Sequence, residues 1–169
     1  PYTGFSSTRL WLAGGVTPVQ TAGAAQAERE LELARAIDEE GALGPEIFPS
    51  APYVTGPGGN GPMNKPTSEE EARAFVREWA AKGVSWFKLY RHTEPAIASA
   101  IIDEAHRLGL RTAGHLCSIS YGEAAEMGID RVEHGLNAVA DFVEGRSEGE
   151  CVSNRAAIDA LEMDDPRLI

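Results

Sequence analysis

The sequence predicts an α/β fold in which parallel strands form a sheet and helices lie outside it. Short apolar runs alternate with longer segments whose apolar residues recur at helical spacing. Glycine directly follows most of the longer segments, as it does at many helix C-termini. Three of the short runs carry a lysine or a histidine near their carboxyl ends. Such ends share one edge when neighbouring strands are parallel.

The first half of the chain contains two helix–strand units. Gly14 and Gly41 end the helices, and Pro18 disturbs the first strand because proline cannot donate to a ladder. The predicted segments are a helix at 5–13, a strand at 16–21, a helix at 24–40 and a strand at 46–53. A Gly- and Pro-rich loop follows from Thr55 to Pro66. Long loops of this kind are often functional, and a surface loop without a role is the alternative.

The second half contains three more units, each a helix followed by a strand. A capping box precedes the first and third helices, and a threonine with a nearby proline starts the second. These signals are Ser68 with Glu71, Ser120 with Glu123, and Thr93 with Pro95. The strands are predicted at 86–90, 111–116 and 131–135.

The chain is long enough for one domain with a buried core. We assign residues 1–145 to the α/β unit and residues 146–169 to an acidic excursion with a helix candidate at 155–162. A net charge of −11 argues against nucleic acid and anionic membrane as partners, because both need basic patches. No apolar run approaches the length of a membrane span. Cys117 and Cys151 are too few for a disulfide framework, and the cytoplasm is the default compartment.

Lys88 is the unusual residue of the chain, because it lies in an apolar strand between Trp86 and Tyr90. Alternate side chains of a strand share a face, so these three residues point the same way. His115 and His134 end the next two strands. We therefore expect Lys88 and the two histidines to meet at one rim. A solvated lysine and two core histidines are the simpler alternative.

Such a group of side chains suits a metal centre. Neutral imidazoles bind zinc and related divalent metals. A protonated lysine has no lone pair, but its neutral amine adds carbon dioxide to give a carbamate that ligates as a carboxylate does. A carbamate on Lys88 would bridge two metals, which would activate a hydroxide for attack on a carbonyl carbon. A Schiff-base lysine is a second mechanism for the same position.

Six ordered segments resemble the amidohydrolase superfamily, whose metal-dependent hydrolases are built on a (β/α)8 TIM barrel. The similarity is greater to its imidazolonepropionase-like and prolidase-like branch. The segments are 13–19 (AGGVTPV), 36–41 with 44–45 (AIDEEG and GP), 87–89 (FKL), 103–109 (DEAHRLG), 114–115 (GH) and 132–135 (VEHG). Their order and intervals match those of the family.

The resemblance implies a zinc centre of one or two divalent metal ions. Lys88 would be the carboxylated lysine of the fourth strand, and His115 and His134 would be ligands on the fifth and sixth strands. The favoured function is hydrolysis of amide, cyclic amide or peptide bonds in small molecules. A Schiff-base lyase and a degenerate barrel without catalysis are the alternatives. The substrate-side candidates are Tyr90, Asn60 and His92.

The chain departs from the family pattern on both sides of these segments. It contains neither the His-x-His pair of the first strand nor a match to the aspartate of the eighth. The resemblance therefore implies a partial barrel, with about the second to the sixth of eight strands, inside a protein of about 400 residues. We expect such a fragment to be inactive and unstable as a monomer because its sheet edges are open, and we expect the full-length protein to be a homo-oligomer.

Overall fold

Helices and strands alternate along the chain, as predicted. The structure is a computed structural model that describes residues 5–59, 63–138, 140–162 and 164–166. In chain order the elements are α1 (Phe5–Ala13), β1 (Pro18–Gln20), α2 (Ala27–Asp38), β2 (Glu46–Phe48), α3 (Glu69–Lys82), β3 (Trp86–Leu89), α4 (Pro95–Arg107), β4 (Arg111–Gly114), α5 (Tyr121–Glu126), β5 (Arg131–Val132) and α6 (Arg155–Asp159). A 3₁₀ turn at Gly135–Ala138 follows β5.

The described strands are parallel, and each lies beside the next strand in chain order. β1 pairs with β2, and β3, β4 and β5 pair consecutively. The chain after β2 runs beside β3, where parallel bridges join Ser50 to Trp86 and Val54 to Leu89. The predicted α/β class with parallel strands is thus confirmed, in two small sheets that these bridges connect.

All five strands end earlier than predicted, and the differences are largest for β2 and β5. β2 stops at Phe48 because Pro49 and Pro52 have no backbone N–H to donate to a ladder. β5 stops at Val132 because the chain soon turns away, with His134 in the left-handed region at φ 70°. Glu133 and His134, which fall within the predicted strand, therefore lie just beyond its observed end.

The core lies between β3 and the helices that flank it. Phe87 and Leu89 are fully buried and pack in one cluster with residues of α3 and α4, including Val76 and Ile101. The Phe87 ring meets the Phe75 ring edge-on, with 6.1 Å between centroids. Because side chains alternate along a strand, Lys88, which lies between Phe87 and Leu89, points to the opposite face of β3.

Two helices begin at the predicted serines. The Ser120 hydroxyl accepts from the Glu123 backbone N–H at 3.1 Å, and the Glu123 carboxylate accepts from the Ser120 N–H at 2.6 Å, so this capping box is complete. Ser68 likewise accepts from the Glu71 N–H at 3.2 Å. The Glu71 carboxylate accepts from Thr67 instead of completing the predicted box with Ser68.

The predicted cap at Thr93 is wrong. Glu94 is the N-cap of α4, and Pro95 occupies the first turn as expected. Thr93 is buried, and its hydroxyl donates to the Tyr90 carbonyl oxygen at 2.7 Å. It therefore closes the turn after β3 and leaves the helix start without a side-chain cap.

A disulfide between Cys117 and Cys151 holds the acidic excursion against the α/β unit. Arg146 strengthens this connection, since it donates to the Ser118 carbonyl oxygen at 3.1 Å and pairs with Glu123 at 3.2 Å. Disulfides persist mainly in oxidising compartments, so this bond favours such a compartment over the cytoplasmic default. Within the described segments, no helix has the length and apolar character that crossing a membrane requires.

Candidate metal centre

Lys88 occupies the face of β3 that points away from the aromatic core. It is only 2% exposed, and it lies opposite Ala113 in the β3–β4 ladder. Burial, with the positive charge of Arg131 as a second cause, lowers the pKa of Lys88 from 10.5 to about 8. At pH 7 a larger share of this amine is therefore neutral than in an exposed lysine.

Glu133 is the site residue that the sequence analysis missed. Its Oε2 lies against the Nζ of Lys88 and forms an ion pair with it, but not a hydrogen bond. Its Oε1 accepts from Arg131 at 2.5 Å. The Glu133 N–H donates to the Gly114 carbonyl oxygen at 2.9 Å, which extends the β4–β5 pairing and brings the carboxylate beside the lysine. This negative charge favours protonated Lys88 and so opposes the effect of burial on the lysine pKa.

The two predicted histidines meet at the ends of β4 and β5. Their ring centroids lie 4.6 Å apart, in an edge-to-face arrangement. The His115 N–H donates to the Leu89 carbonyl oxygen at 3.1 Å, so the β3–β4 ladder positions it. His134 lies past the end of β5, and its side chain is 53% exposed. The left-handed turn at His134, and not the strand face predicted with Val132, brings its ring to His115.

The charge state of His115 suits metal binding. Burial is the largest cause that lowers its pKa, and the positive charges of His134, Arg91 and Lys88 add to it, so that the pKa falls from 6.5 to about 4. His115 is therefore neutral at pH 7. A neutral imidazole has the ring lone pair that a metal requires.

Tyr90 lies beside this pair of histidines. Its ring centroid is 4.8 Å from that of His115 and 5.8 Å from that of Tyr53, both edge-on. His92 lies under the loop after β2, where a Cβ added at Gly58 would come within 2.8 Å of its ring. The third substrate-side candidate, Asn60, lies outside the described residues.

The donor set fits a metal only if Lys88 takes part. Among the described residues, no group of three or more His, Cys, Asp or Glu side chains is placed to hold an ion. His115 and His134 supply two nitrogen donors, and a carboxylated Lys88 would supply oxygen donors. Burial of the amine favours carboxylation, because it lowers the lysine pKa and that reaction requires the neutral form, whereas the Glu133 carboxylate favours the protonated form.

Comparison with solved structures shows what the chain is similar to. A prolidase from Bifidobacterium longum is 29% identical with a TM-score of 0.65, and the match covers 78% of this chain and 35% of that one. A Xaa-Pro dipeptidase with bound methionine in its active site is 21% identical with a TM-score of 0.60, over 72% and 37% of the two chains. The ochratoxinase of A. niger is 18% identical with a TM-score of 0.63, over 79% and 40%.

The chain resembles amidohydrolase-type hydrolases. The resemblance stated from the six sequence segments is thereby confirmed. No family model and no curated protein matches the sequence. The chain spans between 35% and 40% of the length of the three solved neighbours.

Proposed function

We propose that this chain contributes Lys88, His115 and His134 to the metal centre of a hydrolase that cleaves amide or peptide bonds in small molecules. The observation that carries the proposal is the meeting of two imidazoles at the carboxyl ends of β4 and β5, in the same parallel sheet as β3 with its buried lysine. The neighbours described as a prolidase and a Xaa-Pro dipeptidase support the same class of reaction.

We also propose that the strands are the second to the sixth of a TIM barrel within a longer protein. Parallel strands that lie beside one another in chain order support this proposal, because each βα unit of a barrel adds its strand next to the previous one. The active site of such a barrel lies at the carboxyl ends of its strands. Lys88, His115 and His134 lie at or just past those ends.

The protein residues have separable roles in this proposal. A divalent metal, most suitably zinc, would supply Lewis acidity toward the carbonyl oxygen and lower the pKa of water at neutral pH. His115 and His134 would hold it through neutral ring nitrogens, and Lys88 through a carbamate. Before carboxylation, Glu133 would pair with the lysine amine, and Arg131 would pair with Glu133. Tyr90, with its ring against His115, would contact the substrate.

The paired histidines favour this proposal over the alternatives. A Schiff-base lysine needs a depressed pKa, which Lys88 has, but it gives no reason for two imidazoles to meet beside it. A barrel without catalysis likewise gives no reason for the two imidazole rings to meet at the strand ends. His92 and Asn60 stay predictions as substrate-side residues.

Metal content of the full-length protein tests the proposal. After expression with zinc and bicarbonate, we expect at least one zinc ion per chain by elemental analysis, together with hydrolysis of small amides or dipeptides. His134→Asn should lower both the zinc content and the rate of hydrolysis. His106→Asn is the matched control, because His106 bonds Asp130 at 2.9 Å and Asp130 accepts from Thr112 near the start of β4, away from the strand ends that carry the ligands. It should leave the zinc content and the hydrolysis unchanged. Less than one zinc per chain in the unaltered protein would reject the proposed centre.

A further inference from the structure

One segment of the acidic excursion, residues 151–162, is joined covalently to the loop after β4, and we call this segment the strap. Its first residue, Cys151, forms the disulfide with Cys117, which lies two residues past His115. Cys117 is only 4% exposed, whereas Cys151 is half-buried, so a reductant reaches the bond from the strap side. The disulfide therefore fixes the start of the strap beside one proposed metal ligand and stays accessible to redox chemistry.

The strap also contacts the turn that follows the other proposed ligand. The side-chain amide of Asn154 donates to the Leu136 carbonyl oxygen at 3.1 Å. Leu136 belongs to the 3₁₀ turn at Gly135–Ala138, directly after His134, and α6 packs on the same turn. The strap thus connects the loop after one histidine to the turn after the other.

The noncovalent contacts of the strap are weak. Its helix α6 has five residues, all of them described and none of them buried, and a helix this short is unstable in isolation. Ile158 and Leu161 pack against the core while only partly buried. Residues 140–150 are held more firmly, because Phe142 is buried in the core and Arg146 pairs with Glu123. Breaking the disulfide should therefore loosen the strap and leave the start of the excursion in place.

We propose that the disulfide is a redox-sensitive latch, whose reduction loosens the strap and the turn after His134. Looser positioning of His134 relative to His115 then weakens metal binding at the candidate centre. This last consequence rests on the proposed function, whereas the loosening itself does not. The chemical partner of the latch is a dithiol reductant.

The reduction is an ordinary thiol–disulfide exchange. A thiolate of the reductant attacks the Cys151 sulfur, the bond between the two cysteines breaks, and the Cys117 sulfur leaves as a thiolate that takes up a proton. The second thiol of the reductant attacks the mixed disulfide, which releases the Cys151 thiol and leaves the reductant as a disulfide. The Arg91 guanidinium lies 3.8 Å from each sulfur, so its positive charge stabilises the leaving thiolate.

Hydrogen exchange and zinc affinity of the full-length protein, measured before and after reduction, test the latch. Dithiothreitol reduces the protein and is then removed by gel filtration under argon, because it chelates zinc. In the zinc-free protein we expect amide exchange at 152–162 and 135–138 to become at least about tenfold faster, and exchange in α4 to stay unchanged. The zinc dissociation constant should rise at least about fivefold, and reoxidation should restore both measurements.

Cys117→Ser/Cys151→Ser is the matched variant, because it lacks the latch and also lacks thiols, which bind zinc themselves. It should reproduce the exchange and the zinc affinity of the reduced protein. Dithiothreitol should change neither in this variant, which controls for cysteines elsewhere in the full-length protein. If the variant does not fold, the reduced unaltered protein still gives both measurements.

Three results would overturn the latch. They are unchanged exchange in the strap after reduction, equally faster exchange along the whole chain, and a loosened strap with an unchanged zinc dissociation constant. The second result would mean that the disulfide only stabilises the fold. If the oxidised protein binds no zinc, the proposed metal centre falls, and faster exchange confined to the strap and the turn after His134 still supports the latch.

Discussion

Lys88→Met is expected to lower kcat/KM of the full-length hydrolase by at least about 100-fold and to reduce its bound metal. Methionine matches the length of the lysine stem but cannot form a carbamate, so the centre keeps two imidazoles and loses its oxygen donors. Elemental analysis and initial rates on one amide substrate measure the two effects. Metal content and rate that both match the unaltered protein would contradict a ligand role for Lys88.

In the metal-free protein, where Lys88 carries its free amine, the same substitution also removes the counter-charge of Glu133, and this second effect requires its own control. Arg131 still pairs with Glu133, so we expect the free energy of unfolding to fall by about 1–3 kcal/mol, the cost of a buried group left partly unsatisfied. The double variant Lys88→Met/Glu133→Gln should recover stability without recovering metal or activity. Lys82→Met, at an exposed lysine of α3, should change neither the metal content nor the activity.

Phe87→Ala is expected to lower the free energy of unfolding by about 3–5 kcal/mol, because it empties the centre of the core between β3 and its helices. Phe87 is fully buried and meets the Phe75 ring. Phe48→Ala is the matched control, since Phe48 lies on β2 with 37% of its surface exposed and should cost less than half as much. Urea unfolding followed by circular dichroism measures both. Equal losses would show that β3 is not the central strand of the core.

Local patterns were sufficient to predict that Lys88 lies within a strand and that His115 directly follows the next one. Alternation in β3 placed Lys88 opposite the core residues Phe87 and Leu89, and the structure agrees. The helix starts at Ser68 and Ser120 followed from short-range hydrogen bonding between residues three apart. These features depend on contacts within a few residues, which a sequence displays directly.

The features that the sequence did not predict depend on contacts between distant residues, or on a backbone conformation that the neighbouring residues do not determine. Glu133 reaches Lys88 across β4, and Cys117 reaches Cys151 over a separation of 34 residues. No periodicity encodes either contact. His134 was predicted to lie on a strand face, whereas a left-handed residue brings its ring to His115. Thr93 was predicted to cap a helix, and it instead bonds the turn before it.

Anomalous diffraction at the zinc edge, from crystals of the zinc-loaded full-length protein, tests the proposed centre most directly. The centre predicts a zinc peak about 2.0–2.1 Å from a ring nitrogen of His115 and of His134, with carbamate density on Lys88. A peak elsewhere, with Lys88 still paired to Glu133 and neither imidazole ligated, would contradict it.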